Sequence, residues 1–493
     1  MDYSLRLSKL LSILSIPSES QSIGNIMIED LTADSRQVNS GSLFFAYPGA
    51  VDDGRDYIAK AAQAGAAAIF YESELGASET FELSGEFDMP TIAVRGLRGK
   101  IGVMAHQFFA QPSTEMQVFG VTGTNGKTTC CYLLTQALNK LGNHANMIGT
   151  IGYGELSDLE YSGLTTPGPI ELHRLLAKWR DHGVTQVCME VSSHALDQGR
   201  VAGVQFFCTL FTNLSHDHLD YHGDMQQYAA AKVRLFTDFH SELVITNADD
   251  VLGASLIDRA NTEFVATYGD DGDVSVDQTE LSDHGMRLQI EANGVEFDLQ
   301  TSLIGKVNIP NILLLVATLL ALSIEVKEIQ RIVASLTSAP GRMELFKRES
   351  SASVVVDFAH TPDALEKALA SVKAHCSGDL WCVFGCGGDR DKTKRPIMGA
   401  AANKYADQII VTNDNPRSEA PNDIANDIVA GITRDYQVIL DRSNAIETAI
   451  KNSKSPDWIL VAGRGHEPYQ QIGESSIPFS DRAQVQLILG QAL

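Results

Sequence analysis

Residues 117–129 read QVFGVTGTNGKTT, and this stretch decides the fold. Val118, Phe119 and Val121 have the character of a short buried strand, and the residues from Cys131 onward that of a helix. Between them lies a turn carrying Gly120, Gly123 and Gly126, closed by Lys127, Thr128 and Thr129. A glycine-rich turn between strand and helix cradles phosphate: its backbone N–H groups point inward and the helix start adds positive potential. In such a loop the lysine neutralises the outer phosphates and the hydroxyl that follows it can hold Mg²⁺. The strict pattern wants a glycine five residues before Gly126, where this chain has Val121, so TGTNGKTT is a close variant. The stretch predicts a nucleoside triphosphate site on an α/β sheet.

The chain's 493 residues exceed what one core supports and suggest about three domains. The hydrophobic fraction of 44% and charged fraction of 20% fit a globular protein. The balance of 62 acidic against 38 basic residues gives a formal charge of −24. That speaks against a nucleic-acid or anionic-membrane binder, which needs a basic face. Seven scattered cysteines without a CxxC pair suggest reduced thiols and a cytoplasmic setting. The opening MDYSLRLSKLLSILSIPSES spaces its leucines as an amphipathic helix and lacks the apolar core of a signal peptide. The longest apolar run, Ile312 to Ile324, is too short for a membrane span and predicts a buried helix.

In chain order, residues 1–96 predict a small α/β module. GSLFFAYPG (41–49) and the stretch from Pro90 supply strands, and GRDYIAKAAQAGAAAIFYE supplies a helix followed by a strand. Ser35 and Arg36 beside a turn suit either a phosphate or uracil edge, or helix capping and solvent contact. Residues 97–339 predict the nucleotide domain. Its strand from Gln186 ends in Glu190, Ser192, Ser193 and His194, where an α/β sheet presents its chemistry. Glu190 is a candidate Mg²⁺ ligand. His216, His218 and His222 invite a zinc reading, but their spacing fits no zinc pattern, and His218 assisting a second Mg²⁺ is the better one. Lys232 among alanines either snorkels, or loses its proton and reacts with CO₂ to form a carbamate. Asn308 and Asn311 either cap a helix or touch an adenine edge.

From residue 340 the strand–loop–helix pattern restarts after the break Ala339-Pro340-Gly341-Arg342. Asp357 and His360 end one strand, GCGGDRDKTKRP follows another, and NDNPRSE and GRGHE follow two more. All four loops are expected on one edge of one sheet. The pair Gly387-Gly388 lacks the GxGxxG spacing of a dinucleotide site.

With TGTNGKTT, MEVSSH, HDHLDYHG, the AAK ending at Lys232, APGRME, VVDFAHTPDALE, GCGGDRDKTKRP, DNPRSE and GRGHE in this order, the chain resembles the Mur ligases. The resemblance runs from about residue 120 to 482 and extends more loosely to the N-terminal module. It implies an α/β fold of three domains: a small N-terminal UDP-substrate-binding domain (1–96), a central P-loop-type parallel-sheet domain (97–339) and a C-terminal Rossmann-like domain (340–493). The implied activity is the ATP-dependent addition of meso-2,6-diaminopimelate to UDP-N-acetylmuramoyl-L-alanyl-D-glutamate in peptidoglycan synthesis. It proceeds through an acyl phosphate and releases ADP and phosphate. By this resemblance Lys127, Glu190, His218 and Lys232 are catalytic. Thr128, Glu190, His218 and a carbamylated Lys232 hold Mg²⁺. ATP meets Gly123, Thr124, Asn125, Gly126, Lys127, Thr128, Thr129, Asn311, Arg342 and Asp357. The UDP-muramoyl dipeptide meets Ala33, Ser35, Leu164, Thr165, Thr166, Ser192, Gln198 and Arg200. Arg390, Asp414, Asn415, Pro416, Arg417, Gly463 and Glu467 take diaminopimelate, with the planar fork of Arg417 on its remote carboxylate. The enzyme is expected to be a cytoplasmic monomer, without nucleic acid or membrane insertion. The alternatives are a ligase of the same family adding L-lysine, a folylpolyglutamate-synthase-like ligase, and a non-enzymatic module closed by ATP.

Overall fold

The computed structural model describes residues 3–16, 21–49, 52–75, 79–81, 83, 85, 87–161 and 163–491. The chain forms two compact units: 1–125 with 141–244 and 255–265, and 126–140 with 245–254 and 266–493.

The first unit begins with the expected amphipathic helix, α1 (Leu7–Ile13), which buries Leu7, Leu10 and Leu11; residues 1–2 and 17–20 of that stretch lie outside the described residues. Strands β1 (Asp30–Thr32), β2 (Ser42–Ala46), β3 (Ala68–Glu72) and β4 (Thr91–Val94) follow, with α2 (Ile58–Gln63) between β2 and β3. They form a four-stranded, all-parallel sheet in sequence order. Every residue of β2 is buried, as expected of a parallel strand covered on both faces. Helix α3 (Leu97–Phe108) then leads to β5 (Gln117–Thr122), and the chain passes through the phosphate loop into α4 (Lys127–Lys140).

The unit continues with β6 (Ala145–Gly149), β7 (Gly152–Glu155), β8 (Asp158–Glu160), α5 (Pro169–Asp181), β9 (Gln186–Glu190), α6 (Ser193–Asp197), β10 (Cys208–Phe211) and α7 (Met225–Thr237). Its strands lie in the order β8-β7-β6-β9-β5-β10. The inner four are parallel and the β7–β8 edge is antiparallel. β5 and β9 therefore end side by side, β5 running into the phosphate turn and β9 finishing at Glu190. The Asp224 side chain caps α7 by accepting the Gln227 N–H, which fixes the register of Lys232 on that helix.

The second unit contains an antiparallel meander that sequence reading left unassigned: β11 (Val274–Ser282), β12 (Gly285–Ala292) and β13 (Val295–Thr301). The apolar run Ile312 to Ile324 is helical as far as Ala321, forming most of α8 (Ile309–Ala321), which has proline at its first turn and is buried along nearly its whole length; its last three residues turn out of the helix. Next come β14 (Glu344–Phe346), β15 (Ser353–Asp357), α9 (Pro362–Lys373), β16 (Leu380–Phe384), α10 (Lys394–Tyr405), β17 (Gln408–Val411), β18 (Gln437–Val438), α11 (Arg442–Asn452), β19 (Trp458–Ala462) and α12 (Asp481–Leu489). The sheet order is β14-β15-β19-β16-β17-β18, parallel throughout except for the short β14. The loops after β15, β16, β17 and β19 thus share one edge. Cys382 and Cys386 are buried here, and burial raises both thiols, Cys386 to about 12.

Candidate active site

The phosphate loop is held from below by backbone and buried polar groups. Gly123 has φ +148°, and a Cβ there would stand 1.9 Å from the Thr212 hydroxyl, so only glycine fits. The Thr124 N–H donates to Asn213 O at 2.7 Å, and the Thr212 hydroxyl donates to Asn125 O at 2.6 Å. Lys232, 1% exposed, donates from Nζ to Gly123 O at 2.7 Å. Its ammonium lies 4.4 Å from the ring centre of Tyr228, one turn earlier on α7, and the Tyr228 hydroxyl meets that of Thr124 at 3.2 Å. Lys232 is therefore no snorkelling surface lysine; its amine is aimed at the loop. Beyond the loop, Thr128 and Thr129 are buried in the first turn of α4.

A second cluster grows from the end of β9. Glu190 is 1% exposed, and its carboxylate accepts the Thr150 N–H at 2.8 Å and the Thr150 hydroxyl at 3.2 Å. The Thr150 hydroxyl also meets that of Thr165 at 3.0 Å. Thr166 donates to Glu190 O at 2.8 Å and accepts the Ser192 N–H at 3.2 Å, while Ser192 caps α6. Arg200 donates to Thr166 O at 2.9 Å and forks onto Gln198 Oε1 at 2.9 and 2.7 Å. Burial, reinforced by Arg98, pushes the Arg200 pKa down. The structure thus joins Glu190, Thr165, Thr166, Ser192, Gln198 and Arg200 in one hydrogen-bonded chain. Leu164 beside it has an exposed side chain, and its carbonyl accepts the Tyr153 hydroxyl. Ser35 is buried in the turn after β1, and Ala33 is exposed.

His218 has φ +52° and stacks edge-on to His194 at 5.0 Å. His222 instead shares a hydrogen bond with Ser193 at 3.0 Å. Among the described residues, no group of three or more His, Cys, Asp and Glu is gathered so as to hold a metal ion. The hydroxyl of Thr128 and the carboxylate of Glu190 are hard oxygen donors of the kind that suits Mg²⁺.

In the second unit, Asn311 Nδ2 donates to Asn308 Oδ1 at 3.0 Å, and its Oδ1 accepts the thiol of Cys130 from α4. The Arg342 guanidinium stacks on Phe358 at 4.5 Å. Asp357 accepts the N–H groups of Met343 (2.8 Å) and Ala359 (2.9 Å); desolvation raises its carboxyl pKa, against the pull of Arg342 and those N–H groups.

Three loops of the C-terminal sheet converge through their main chains. A Cβ on Gly388 would stand 1.9 Å from Pro416 O, which requires glycine where the GCGGDR and DNPR loops touch. Arg417 has φ +51° and is held there by its N–H to Gln471 O (3.2 Å) and by the Gly473 N–H to its carbonyl (2.8 Å). Such strain in a non-glycine residue collects at functional sites. Arg417 Nη1 donates to Gly388 O at 2.8 Å, and the side chain is half-buried; Arg390 is exposed. Asp414 Oδ2 is buried with no hydrogen-bond partner among the described residues, 2.5 Å from where a Cβ on Gly463 would lie. Glu467 pairs with the fully buried Arg464 at 3.4 Å and accepts Asn415 Nδ2 at 3.1 Å; desolvation raises its pKa.

Family models match residues 27–109 (Mur ligase family, catalytic domain), 121–319 (Mur ligase middle domain) and 341–465 (Mur ligase, glutamate ligase domain). A UDP-N-acetylmuramoyl-L-alanyl-D-glutamate–2,6-diaminopimelate ligase of Coxiella burnetii is 42% identical over 467 residues, 93% of this chain and 94% of that one. The chain belongs to the Mur ligase family. A Pseudomonas putida Mur ligase of the same name is also 42% identical, over 94% of this chain and 95% of its own. A solved structure bearing that name is 31% identical, covers 99% of both chains and superposes with a TM-score of 0.72. The three-domain α/β architecture is that of the Mur ligases, which are ATP-dependent, amide-forming enzymes.

Several residues of this Mur ligase site escaped the sequence reading. Thr150 stands inside the GTIGY turn and bonds Glu190 through two atoms. Tyr228 precedes Lys232 by four residues, and that helical spacing was the available signal. Tyr221 accepts from Gln198 Nε2 at 3.1 Å and donates to Asp197 at 2.7 Å, a link visible only in three dimensions.

Proposed function

We propose that this chain joins meso-2,6-diaminopimelate to the D-glutamate side-chain carboxylate of UDP-N-acetylmuramoyl-L-alanyl-D-glutamate, using ATP. One observation carries the reading: relatives named for this reaction are 42% identical over more than nine-tenths of both chains. Its pocket chemistry agrees. Diaminopimelate brings ammonium groups and a remote carboxylate. The buried Asp414 Oδ2 and the desolvated Glu467 suit the cations, and the planar fork of Arg417 suits the carboxylate. L-lysine lacks that carboxylate and would set an ammonium against Arg417, so the lysine-adding alternative is disfavoured.

A carboxylate is a poor electrophile. Transfer of the ATP γ-phosphoryl group onto it makes an acyl phosphate, the neutral amine attacks the carbonyl carbon, and phosphate leaves as the amide forms. Lys127 and the loop residues 123–129 hold the triphosphate and neutralise its charge; Asn311, Arg342 and Asp357 bind the rest of ATP. Ala33, Ser35, Leu164, Thr165, Thr166, Ser192, Gln198 and Arg200 hold the UDP-linked substrate. Thr128, Glu190, His218 and Lys232 would hold Mg²⁺, which when bound screens the meeting anions. Lys232, if it gives up its proton and adds CO₂, presents a carbamate oxygen there. The domains are assigned as 1–96, 97–339 and 340–493, boundaries that enclose the three family matches with one exception, a match running from 27 to 109. The enzyme is assigned as a cytoplasmic monomer; among the described residues no helix is long and apolar enough to cross a membrane.

The test is phosphate release from ATP, Mg²⁺ and the UDP-muramoyl dipeptide with either amino acid. Turnover with diaminopimelate and not lysine is expected. Turnover with lysine alone would overturn the specificity, and release only with a folate acceptor would overturn the whole reading.

A further inference from the structure

The proposed amino-acid pocket depends on two loops keeping their distance. One begins after Asn413 and carries Asp414, Asn415 and Arg417; the other begins after Ala462 and carries Gly463 and Glu467. The carbonyls at both starting points accept from a single guanidinium. Arg442 Nη1 donates to Asn413 O at 3.1 Å and Nη2 donates to Ala462 O at 2.9 Å. The remaining edge of the fork is taken by Asp481, with Nε to Oδ1 and Nη2 to Oδ2 both at 2.7 Å. Both side chains are 0% exposed.

Their placement is exacting. Arg442 is the first residue of α11 and Asp481 the first of α12, and the side chains of Asp441 and Ser480 cap those helices. A cation at a helix N-terminus is opposed by the helix dipole, whereas Asp481 is favoured at its own. Packing alone gives no reason for such a pair, because apolar residues of similar volume usually stabilise a core as well. What an apolar pair cannot do is bind two carbonyls at once. Arg442 Nη2 also lies 4.0 Å from the point where a Cβ on Gly463 would sit, against the same glycine that Asp414 Oδ2 approaches.

We infer that Arg442 and Asp481 are positioning residues for the amino-acid substrate, tying the Asp414–Arg417 loop to the Gly463–Glu467 loop from behind. Neither touches the substrate. The inference rests on the proposed reading for the identity of the amino acid and for its place between these two loops.

The experiment uses the full chain carrying Arg442→Met with Asp481→Leu, a pair that removes both charges together and so avoids a stranded ion. The KM values for the amino acid, ATP and the UDP-linked substrate are measured, with hydrogen exchange of segments 413–417 and 462–467. The KM for diaminopimelate is expected to rise roughly tenfold or more while the other two hold within about twofold. Exchange in both segments should speed up. An unchanged amino-acid KM, an equal rise in all three, or unchanged exchange would overturn the inference. Should the double variant not fold, Asp481→Asn, which keeps the shape and drops the charge, is read by the same measurements. If the wild type accepts another amino acid, the proposed reading fails on its own, and the KM for that amino acid decides the role of the pair.

Discussion

Acid should open this protein first behind the cluster proposed to hold the UDP-linked substrate, because of His173. Its ring is buried between α5 and α3, where Nε2–H donates to Ala202 O at 2.9 Å while Nδ1 has no partner among the described residues. His106 lies 5.2 Å away, is also buried, and its Nδ1 likewise has no partner among the described residues. Protonating His173 would strand an N–H and a charge in an apolar interior beside another imidazole, and burial holds its pKa down at about 3, from 6.5. Below pH 6.5 the open state gains a proton that the closed state refuses. Closed-state stability therefore falls as pH drops, by about 1.4 kcal/mol per unit, until near pH 3. From pH 7.5 to 4.5 the loss amounts to about 2–3 kcal/mol, or roughly a hundredfold in the opening equilibrium. The turn at Ala202 adjoins Arg200, whose fork holds Thr166 O and Gln198, so opening should loosen the UDP-linked substrate before it loosens ATP. Hydrogen exchange of α3, α5 and residues 199–204, corrected for intrinsic rates, reads this opening. His173→Gln keeps the donor and cannot titrate, and most of the extra opening should vanish in it. Equal acid sensitivity in wild type and variant would refute the reasoning.

Lys232→Ala should abolish ligation, with partial rescue by short carboxylic acids that replace a carbamate oxygen; turnover that stays near zero at high acetate would argue against the modified lysine. Arg417→Lys, a point charge in place of a fork, should raise the diaminopimelate KM by roughly tenfold with little change for ATP, and an unmoved KM would remove Arg417 from the pocket. Gly388→Ala forces a methyl against Pro416 O at 1.9 Å, so the loops must part at a cost of about 1–3 kcal/mol. Calorimetry should show a lower melting temperature, and kinetics a weaker hold on the amino acid; wild-type behaviour in both would mean the loops yield freely.

The parts of this protein that were legible in the sequence are those written locally. QVFGVT and its glycine turn announce strand, loop and helix because a parallel strand buried on both faces must be apolar throughout. The loops after β15, β16, β17 and β19 were predicted on one edge, since strand–helix alternation admits little else. The meander β11–β13 was not legible: VSVDQTELS is half-exposed and polar, with only a weak alternation to betray it. Nor could Thr150, Tyr228 or the Arg442–Asp481 pair be found by motif. Asp481 lies 39 residues from Arg442, and Tyr228 lies 104 from Thr124. Apart from the four-residue step from Tyr228 to Lys232, such partners are defined by the folded neighbourhood and leave no spacing to read.

The contact between Gly388 and Pro416 has an evolutionary consequence. Where those two loops meet, peptide units are pressed together, and the Arg417 guanidinium bonds across the contact to Gly388 O. Descendants can therefore exchange an exposed residue such as that at 390 to recruit a new amine while the gauge of the cleft stays inherited, whereas a change at 417 alters both at once.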